Sequence, residues 1–393
     1  MKKQIKGLAV MSLSAAMVLS MTACGSTTST GSASEETTAA NLVVSEDADE
    51  EAETEAIEAD EDLPEGMMRS FLTGELVTIE DGMTRPLACM ISNVPDSLPQ
   101  SGISNAGIVY EAVVEGELTR MMAVFENVNY VGDYLGSIRS CRHYYLDYAE
   151  DEGALYTHFG WSYVAEDRIK SEGLETIHLM STPINETYIR ATDREAPHNV
   201  FTSTEQLKNA IEYYGYDDQL PEDFEGRLNF YTEDTVPEGG QVADDVKIPF
   251  TSSCELVYDA DEGIYWKYEY GDPQMDEYND TQLSFKNVIV ILTQYWQYNG
   301  DILKEVQVSG SGSGYYISDG VAVPITWVKE ALHTDQTHYY LEDGSELYMN
   351  PGKTYIAITP DTYNVTFTAE QAEAAAETSA APTEAEAGDD TAD

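Results

Sequence analysis

The stretch IVYEAVVEG (108–116) decides the fold class together with the segments on either side of it. It predicts a strand, as does PLACMISN (86–93) before it, and the apolar segment LTRMMAVFENV (118–128) follows directly. Apolar and aromatic residues recur every three to four positions in SIRSCRHYYLDYAEDE (137–152), which predicts a helix. The later signals alternate in the same way, with strands at ALYTHFG (154–160) and TIHLM (176–180), and helices at SYVAEDRIKSEG (162–173) and after the capping-box pairs Thr202/Glu205 and Ser203/Gln206. This alternation predicts an α/β layered domain.

The second half of the chain predicts β-structure throughout. Asn299-Gly300, Asp319-Gly320 and Asp343-Gly344 lie between β-rich segments, and such dipeptides are strong signals of hairpin turns. All nine arginines lie between Arg69 and Arg227, whereas 228–360 contains six lysines and no arginine. We therefore predict an α/β layered domain at 69–230, followed by a smaller, mostly antiparallel β-rich domain at 246–360 that forms a meander or a small barrel. The combined fold class is α+β/α/β.

The two ends of the chain predict its location in the cell. Three lysines precede the apolar segment LAVMSLSAAMVLSM (8–21), which is shorter than the roughly 20 residues of a membrane-spanning helix, so 1–23 predicts a signal peptide. MTAC resembles a bacterial lipobox, in which Cys24 becomes the lipidated N-terminus; an ordinary signal with a chance cysteine is the alternative. The acidic segments 24–68 and 361–393 predict a disordered linker and tail, because one-sign charge and low hydrophobicity cannot offset chain entropy. We expect a lipoprotein anchored in the cell membrane and facing the extracytoplasmic side.

Charge and cysteine content exclude several classes of function. The chain has 72 acidic residues against 20 lysines and arginines, which gives a net charge of -52. Because nucleic-acid affinity depends on basic residues that neutralise phosphates, no nucleic-acid partner is expected. Cys89, Cys141 and Cys254 predict small buried thiols, with one disulfide of unassigned pairing as the alternative. The sequence contains no HExxH motif, no P-loop and no zinc-type Cys/His spacing, and we predict no metal and no cofactor.

The loop RATDREAPHNVFTS (190–203) concentrates basic and amide side chains in an otherwise acidic chain. Ligands of open α/β sheets bind beyond the carboxyl ends of the strands, where the helices begin. Three segments are predicted to bring polar residues to that edge. They contribute His158 at the end of a strand, Arg139 and Arg142 in the first turn of a helix, and Arg194 and His198 in the loop before another helix. Guanidinium groups near free backbone N–H groups bind carboxylate, sulfate or phosphate. The alternative is that each arginine pairs with a nearby acid, such as Glu111 or Glu115.

A series of motifs resembles the YerB-type putative lipoproteins, a two-domain family of unassigned function. The matching segments are RPLACMISN (85–93), PQSGISNAGIVYEAVVEGELTR (99–120), GSIRSCR (136–142), THFG (157–160), the R-x₃-R-x₂-PHNVFTS pattern (190–203), NVIV (287–290), GSGSGYYISDG (310–320), Trp327 and MNPGKTYIAITP (349–360). The resemblance implies two linked domains over roughly 85–360. It also selects as matching polar positions Asn93, Gln100, Glu111, Glu115, Arg120, Arg139, Arg142, His158, Arg194, His198 and Asn199. Three positions depart from the pattern: Glu117 replaces a second glycine, Ser137 a proline, and Gln274-Met275-Asp276 a histidine.

These observations lead to two functional hypotheses and a structural alternative. The first is a binding protein of the cell envelope, which holds an anionic or carboxylate-bearing ligand between Asn93, Arg120, Arg139, Arg142, His158, Arg194, His198 and Asn199; candidate partners are peptidoglycan, an anionic glycan or an envelope protein. The second is an envelope hydrolase or transferase, with His158 or His198 as general base and Glu111 or Glu115 as acid. In the structural alternative, the arginines are internal ion pairs of a scaffold. The binding hypothesis requires Arg139, His158 and Arg194 to meet in space.

Overall fold

The computed structural model describes residues 63–183 and 187–369. The predicted signal peptide, Cys24, the linker up to residue 62 and the tail from residue 370 lie outside these ranges. Among the described residues, no helix has both the length and the apolar character needed to cross a membrane.

The described part of the chain contains many short strands and few helices. The α-helices are α1 (Ile79–Gly82), α2 (His143–Asp151), α3 (Tyr163–Glu172) and α4 (Thr204–Tyr214). The first eleven strands are β1 (Met67–Arg69), β2 (Leu76–Thr78), β3 (Leu87–Asn93), β4 (Ile108–Val113), β5 (Thr119–Phe125), β6 (Leu135–Gly136), β7 (Leu155–His158), β8 (Thr176–His178), β9 (Ile189–Arg190), β10 (Val200–Thr202) and β11 (Asn229–Phe230). The later strands are β12 (Gln241–Val242), β13 (Asp245–Ile248), β14 (Cys254–Asp259), β15 (Ile264–Glu269), β16 (Asp272–Pro273), β17 (Met275–Asp276), β18 (Thr281–Gln282), β19 (Ser284–Phe285), β20 (Asn287–Thr293), β21 (Tyr295–Gln297), β22 (Lys304–Val306), β23 (Gly310–Ser318), β24 (Val321–Lys329), β25 (His338–Tyr340), β26 (Tyr348–Met349), β27 (Thr354–Pro360) and β28 (Thr366–Thr368).

One mixed sheet of eleven strands runs through both halves of the chain. Its order is β12-β24-β23-β20-β27-β4-β5-β3-β7-β8, and β25 also pairs with β24. The junction is β27, which pairs in parallel with β20 on one side and with β4 on the other. The second half therefore does not form a separate barrel or meander, and that expectation was wrong. The physical reason is that six of the seven residues of β27 are buried, so this apolar strand needs neighbours at both edges.

The two faces of the large sheet are covered by different elements. On one face, α2 and α3 pack through residues such as Tyr145 and Ala165. On the other face lie α4, through Leu207 and Ala210, and the second sheet of order β16-β15-β14-β13-β28, which β19 joins at β15. The layered arrangement of helices on a sheet is present, and a second sheet forms part of the opposite layer.

Local sequence signals placed several elements correctly. Ser162 caps α3 and the left-handed Gly173 ends it, while Ser203 rather than Thr202 caps α4. The turns at Asn299-Gly300 and Asp319-Gly320 join the antiparallel pairs β21–β22 and β23–β24. These hairpin predictions are confirmed.

Three predicted boundaries were wrong. The helix predicted at 137–152 begins only at His143, because the residues before it are extended: Ile138 bridges to Ile91 of β3. At the end of the chain, Thr366–Thr368 forms β28 on the edge of β13, since the side chains of Tyr363, Val365 and Phe367 pack against the core. The prediction of a disordered tail is therefore wrong for residues 361–369. The predicted linker likewise extends too far, because β1 (Met67–Arg69) pairs with β2.

The three cysteines of the folded part are free and buried, so the thiol interpretation is confirmed and the disulfide alternative is wrong. Burial raises the pKa of Cys89 and Cys141 to about 12. These thiols are therefore protonated at neutral pH and act as small apolar side chains.

Candidate functional site

A cavity of about 420 Å³ opens where β3 and β4 end. Both strands pair with β5 in the antiparallel sense and therefore run in the same direction. Three arginines line the cavity (Arg120, Arg139 and Arg142), together with His198, two acids (Glu115 and Asp96) and the hydroxyl residues Ser92 and Thr119. The cavity therefore lies at an edge of the sheet where the carboxyl ends of parallel strands meet, the kind of position at which the sequence predicts a ligand site.

Arg120 enters the cavity from the sheet itself. Ser92 of β3 lies directly opposite Arg120 of β5 in the antiparallel register, so both side chains leave the same face of the sheet. Arg120 is 7% exposed, and its Nη1 donates to the carbonyl oxygen of Ser140 at 2.5 Å. Arg120 makes no ion pair with any described residue, and an unpaired buried cation is costly in a folded protein.

In the part of the chain that the structure describes, Arg142 is the cavity arginine that forms an ion pair. Its Nε and Nη2 donate to the two carboxylate oxygens of Glu115 at 2.6 and 2.7 Å. Arg142 is the N-cap residue of α2 and Glu115 follows β4, so the pair joins a helix start to the end of a strand. Although burial raises the pKa of Glu115, the hydrogen bonds and charge of Arg142 have the larger combined effect and lower it. Glu115 is therefore ionised at neutral pH.

Arg139 and His198 complete the cavity from two loops. The backbone N–H of Arg139 donates to the carbonyl oxygen of Met90, and its Nη1 donates to the carbonyl oxygen of Pro197 at 3.0 Å. Arg139 therefore lies in the extended segment before α2, and its prediction in the first turn of a helix was wrong. His198 Nδ1 lies 3.5 Å from Ser92 Oγ. Arg139 forms no ion pair with a described residue.

The electrostatic environment of the cavity is positive. Burial, followed by the charges of Arg142 and Arg139, lowers the pKa of Arg120 to about 10. Burial and the charge of Arg142 also lower the pKa of Arg139. Burial and the charge of Arg139 lower the pKa of His198, so its imidazole is neutral at pH 7. The charge of Glu115 acts in the opposite direction on the three arginines. The cavity thus holds three mutually repelling cations around one close carboxylate, and a further anion between them would relieve the remaining repulsion.

His158 does not reach this cavity, and its prediction as a ligand-binding or catalytic residue was wrong. Its side chain is fully buried and stacks on His178 with ring centroids 4.8 Å apart. Nδ1 lies 2.8 Å from the carbonyl oxygen of Gly160, and Nε2 lies 3.3 Å from Thr176 Oγ1. Burial and the neighbouring His178 lower the pKa of His158 to about 3. Both ring nitrogens have internal partners, so this residue packs the end of β7.

Arg194 and Asn199 hold the loop that carries His198 but do not line the cavity. The guanidinium of Arg194 donates to the carbonyl oxygens of Ser97 and Pro99 and to Glu277. Asn199 accepts a hydrogen bond from Arg190 Nη1 at 2.8 Å across the same loop. Neither residue lines the cavity, and Arg194 already donates to two backbone carbonyls and one acid, so the structure does not place them as the predicted ligand contacts. Arg139, His158 and Arg194 therefore do not meet in one cavity, and the binding hypothesis fails in the form that required it; the cluster that does form is Arg120, Arg139, Arg142 and His198.

Asn93 and Glu111 belong to a buried polar network behind the cavity. The side-chain amide of Asn93 lies within donating distance of Glu111, Thr119 and Glu269. Lys267, which is fully buried, forms ion pairs with both Glu111 and Glu269. Glu111 is fully buried in this network, so neither it nor Asn93 faces the cavity as predicted.

One departure from the family pattern has a visible consequence. Gly116 and Glu117 both have positive φ values, 69° and 59°, and a residue with a side chain is strained there. Glu117 forms an ion pair with Lys304 on β22, which helps to hold this turn at the edge of the cavity.

Sequence reasoning missed Ser92, Thr119 and Asp96. Ser92 was overlooked because it lies in a strand in which every residue is buried, and no serine motif marks it. The one signal that could have found it is its register opposite Arg120, which depends on how β3 and β5 align.

Comparison with known proteins places this architecture in a family. Residues 72–217 match the model described as "Protein of unknown function (DUF3048) N-terminal domain", and residues 246–356 match the corresponding C-terminal domain. The chain belongs to the DUF3048 family. It is 27% identical over 299 aligned residues to the protein named "Putative lipoprotein YerB" of Bacillus subtilis (strain 168). The aligned residues cover 75% of this chain and 87% of that protein.

A solved structure has the same fold. The crystal structure of the YerB protein from Bacillus subtilis matches with a TM-score of 0.66 and 24% identity, over 76% of this chain and 99% of that chain. The two-domain, strand-rich architecture of the DUF3048 family is therefore shared, and the resemblance seen in the sequence motifs is confirmed.

Proposed function

We propose that this DUF3048 protein binds an anionic ligand, bearing carboxylate or phosphate, in the cavity formed by Arg120, Arg139, Arg142 and His198. The observation that supports the proposal is that three cavity arginines share one ion-paired acid: Glu115 binds Arg142, while Arg120 and Arg139 feel its charge but form no ion pair with a described residue. Guanidinium groups match the planar geometry of carboxylate and phosphate oxygens.

The arginines that serve the fold have a different environment. Arg227 is fully buried against Glu152 at 2.6 Å, and Arg168 makes a two-pronged contact with Asp147. Acids are thus available to neutralise buried arginines elsewhere in this chain. The scaffold alternative accounts well for these two residues and for Arg194, and poorly for Arg120 and Arg139.

We further propose that the protein is a lipoprotein, lipidated at Cys24 and held at the membrane on its extracytoplasmic side. The lipobox-like MTAC segment and the name of the Bacillus subtilis relative support this location. Envelope polymers that carry carboxylate or phosphate, such as peptidoglycan and anionic glycans, or an acidic envelope protein are then the candidate ligands.

Thermal unfolding in the presence of anions tests the binding proposal. Citrate, glycerol phosphate and a muropeptide should each be titrated against the purified protein, and a ligand at 100 times its Kd stabilises by about 2.7 kcal/mol. Arg139→Gln should abolish this stabilisation. Lys208→Gln is the matched control, because Lys208 is an exposed cation of α4 and lies outside the cavity. Equal stabilisation of both variants would contradict the proposal.

The hydrolase or transferase alternative keeps support through His198 alone. The side chains of His158 and Glu111 are buried away from the cavity, whereas His198 and Glu115 line it. The observation that favours this second candidate is the 3.5 Å separation between His198 Nδ1 and Ser92 Oγ.

A further inference from the structure

The hydroxyl group of Ser92 occupies an unusual position for a strand residue. Its side chain leaves β3 on the same face as that of Arg120, and both residues line the cavity. Among the described residues, the hydrogen-bonding contact of Ser92 Oγ is with His198 Nδ1. Ser92, His198 and Arg120, which forms no ion pair with a described residue, therefore line the same cavity.

His198 is held in position by contacts other than the one with Ser92. Its backbone N–H donates to the carbonyl oxygen of Glu195. The preceding Pro197 accepts a hydrogen bond from Arg139, and Arg194 fixes the same loop against residues 97 and 99. These contacts fix the loop at two points, and the ring itself contacts Ser92 Oγ at 3.5 Å. A general base must come within ~2.6–3.2 Å of its proton, and such contacts are often longer in unliganded enzymes and shorten when substrate binds.

The charges around His198 favour its neutral, proton-accepting form. Burial has the largest effect and lowers the pKa of His198; the charges of Arg139, Arg120 and Arg194 also lower it, and the charge of Asp96 raises it. A neutral imidazole next to a hydroxyl is the arrangement in which a serine is activated as a nucleophile.

We propose that Ser92 is the nucleophile, and His198 the general base, of an acyl-transfer reaction on an ester that carries an anionic group. The inference rests on the proposed anion site, because Arg139 and Arg142 would hold the anionic group. Arg120, opposite Ser92, would stabilise the negative oxygen of the tetrahedral intermediate.

The reaction balances with groups present in the cavity. Ser92 Oγ attacks the ester carbonyl carbon while its proton passes to His198 Nδ1, and the carbonyl oxygen becomes an oxyanion. The bond to the alcohol oxygen then breaks, His198 returns the proton to the departing alcohol, and an acyl-Ser92 ester remains. Water gives a proton to His198 as its oxygen attacks the acyl-Ser92 carbonyl carbon. The bond to Ser92 Oγ then breaks, His198 returns the proton to Ser92 Oγ, and the carboxylic acid product is released.

Covalent labelling of the full chain tests this proposal. The protein is incubated with phenylmethylsulfonyl fluoride, which sulfonylates activated serines, and the modified peptide is located by mass spectrometry. Hydrolysis of 4-nitrophenyl hydrogen succinate, an anionic ester, is followed in parallel with the neutral 4-nitrophenyl acetate. We expect labelling at Ser92, and at least tenfold faster hydrolysis of the anionic ester than of the neutral one.

Three variants separate the roles. Ser92→Ala should lose labelling and hydrolysis while citrate still raises its melting temperature, and His198→Gln should label at least tenfold more slowly. Ser171→Ala is the matched control, since Ser171 is exposed on α3 outside the cavity and its Oγ donates to the carbonyl oxygen of Arg168; it should behave as wild type. Absence of labelling in a wild-type protein that citrate stabilises would overturn the nucleophile while leaving the anion site intact. Failure of both labelling and citrate stabilisation would overturn both proposals, and equal labelling of His198→Gln would overturn the role of His198.

Discussion

The ion pair between Glu115 and Arg142 provides the sharpest test of the cavity's charge balance. Glu115→Gln keeps the size of the side chain and removes its charge, which leaves three arginines in the cavity with Asp96 as the remaining acid. The side chains of Arg142 and Glu115 are 13% and 18% exposed. Exposed pairs contribute ~0–1 kcal/mol, and removal of one member of a fully buried pair costs ~3–5 kcal/mol. Between these limits, we expect Glu115→Gln to lower the free energy of unfolding by about 2 kcal/mol at low ionic strength.

The same substitution should make the protein more responsive to anions. Because the negative charge of Glu115 is removed, the net charge of the cavity rises by one unit, and a divalent anion should bind the variant more tightly than wild type. We expect sulfate, compared with chloride at equal ionic strength, to recover about 1 kcal/mol more unfolding free energy in Glu115→Gln than in wild type. Urea denaturation in the two salts measures this difference.

Glu175→Gln is the control for general salt effects. Glu175 pairs with Arg85 at 2.6 Å and neither residue lines this cavity, while sulfate stabilises any folded protein to some extent by exclusion from its surface. If sulfate stabilises the two variants equally, or if Glu115→Gln is as stable as wild type, the cavity is not a region of excess positive charge.

Three further predictions concern the fold around the site. His158 has a folded-state pKa of about 3, below its usual 6.5, so the stability contributed by its neutral form is present above pH 6.5 and is lost as the pH falls toward 3. Between pH 7 and pH 4, the unfolding free energy of wild type should therefore fall by about 3 kcal/mol more than that of His158→Phe. Equal changes for the two proteins in urea denaturation would contradict this. Arg194→Met should accelerate amide hydrogen exchange in the 190–199 loop at least tenfold with α4 unchanged, and unchanged loop protection would exclude its role as a clamp. Truncation after residue 360 should lower the unfolding free energy by about 2 kcal/mol, because the contacts of Phe367 and its neighbours with the core are lost. Truncation after residue 369 should leave the unfolding free energy unchanged. Equal stability of the two truncated proteins would support the original prediction of a disordered tail from residue 361.

The elements that the sequence predicted correctly are those with local signals. The Asn-Gly and Asp-Gly turns need positive φ values, and both Asn299 and Asp319 have them, so these hairpins follow from a few residues. The helix predicted at 162–173 is equally local, and α3 ends at its left-handed Gly173. The pairing of β27 with β4, in contrast, joins Thr354 to Ile108, and no local signal specifies contact between strands so far apart in the chain.

The site was predicted in part for the same reason. Motifs and strand ends selected Arg120, Arg139, Arg142 and His198, which the structure brings together. The sequence could not show that Arg194 would satisfy its donors with backbone carbonyls, since that depends on how the loop at 97–99 folds back. Nor could it show that His158 would be enclosed by His178 and Trp161, because burial at a strand end is decided by later segments.

The location of the cations determines how such a site can work in this protein. The net charge of -52 repels anions at long range, but at physiological salt that field decays over about 8 Å. An anion within the cavity is closer than this to the guanidinium groups and is partly shielded from the acidic surface. Attraction therefore acts only on a ligand whose shape lets its charge enter a cavity of about 420 Å³. An anionic polymer without a protruding acidic group would be repelled, so the acidic surface itself would contribute to the selectivity of the site.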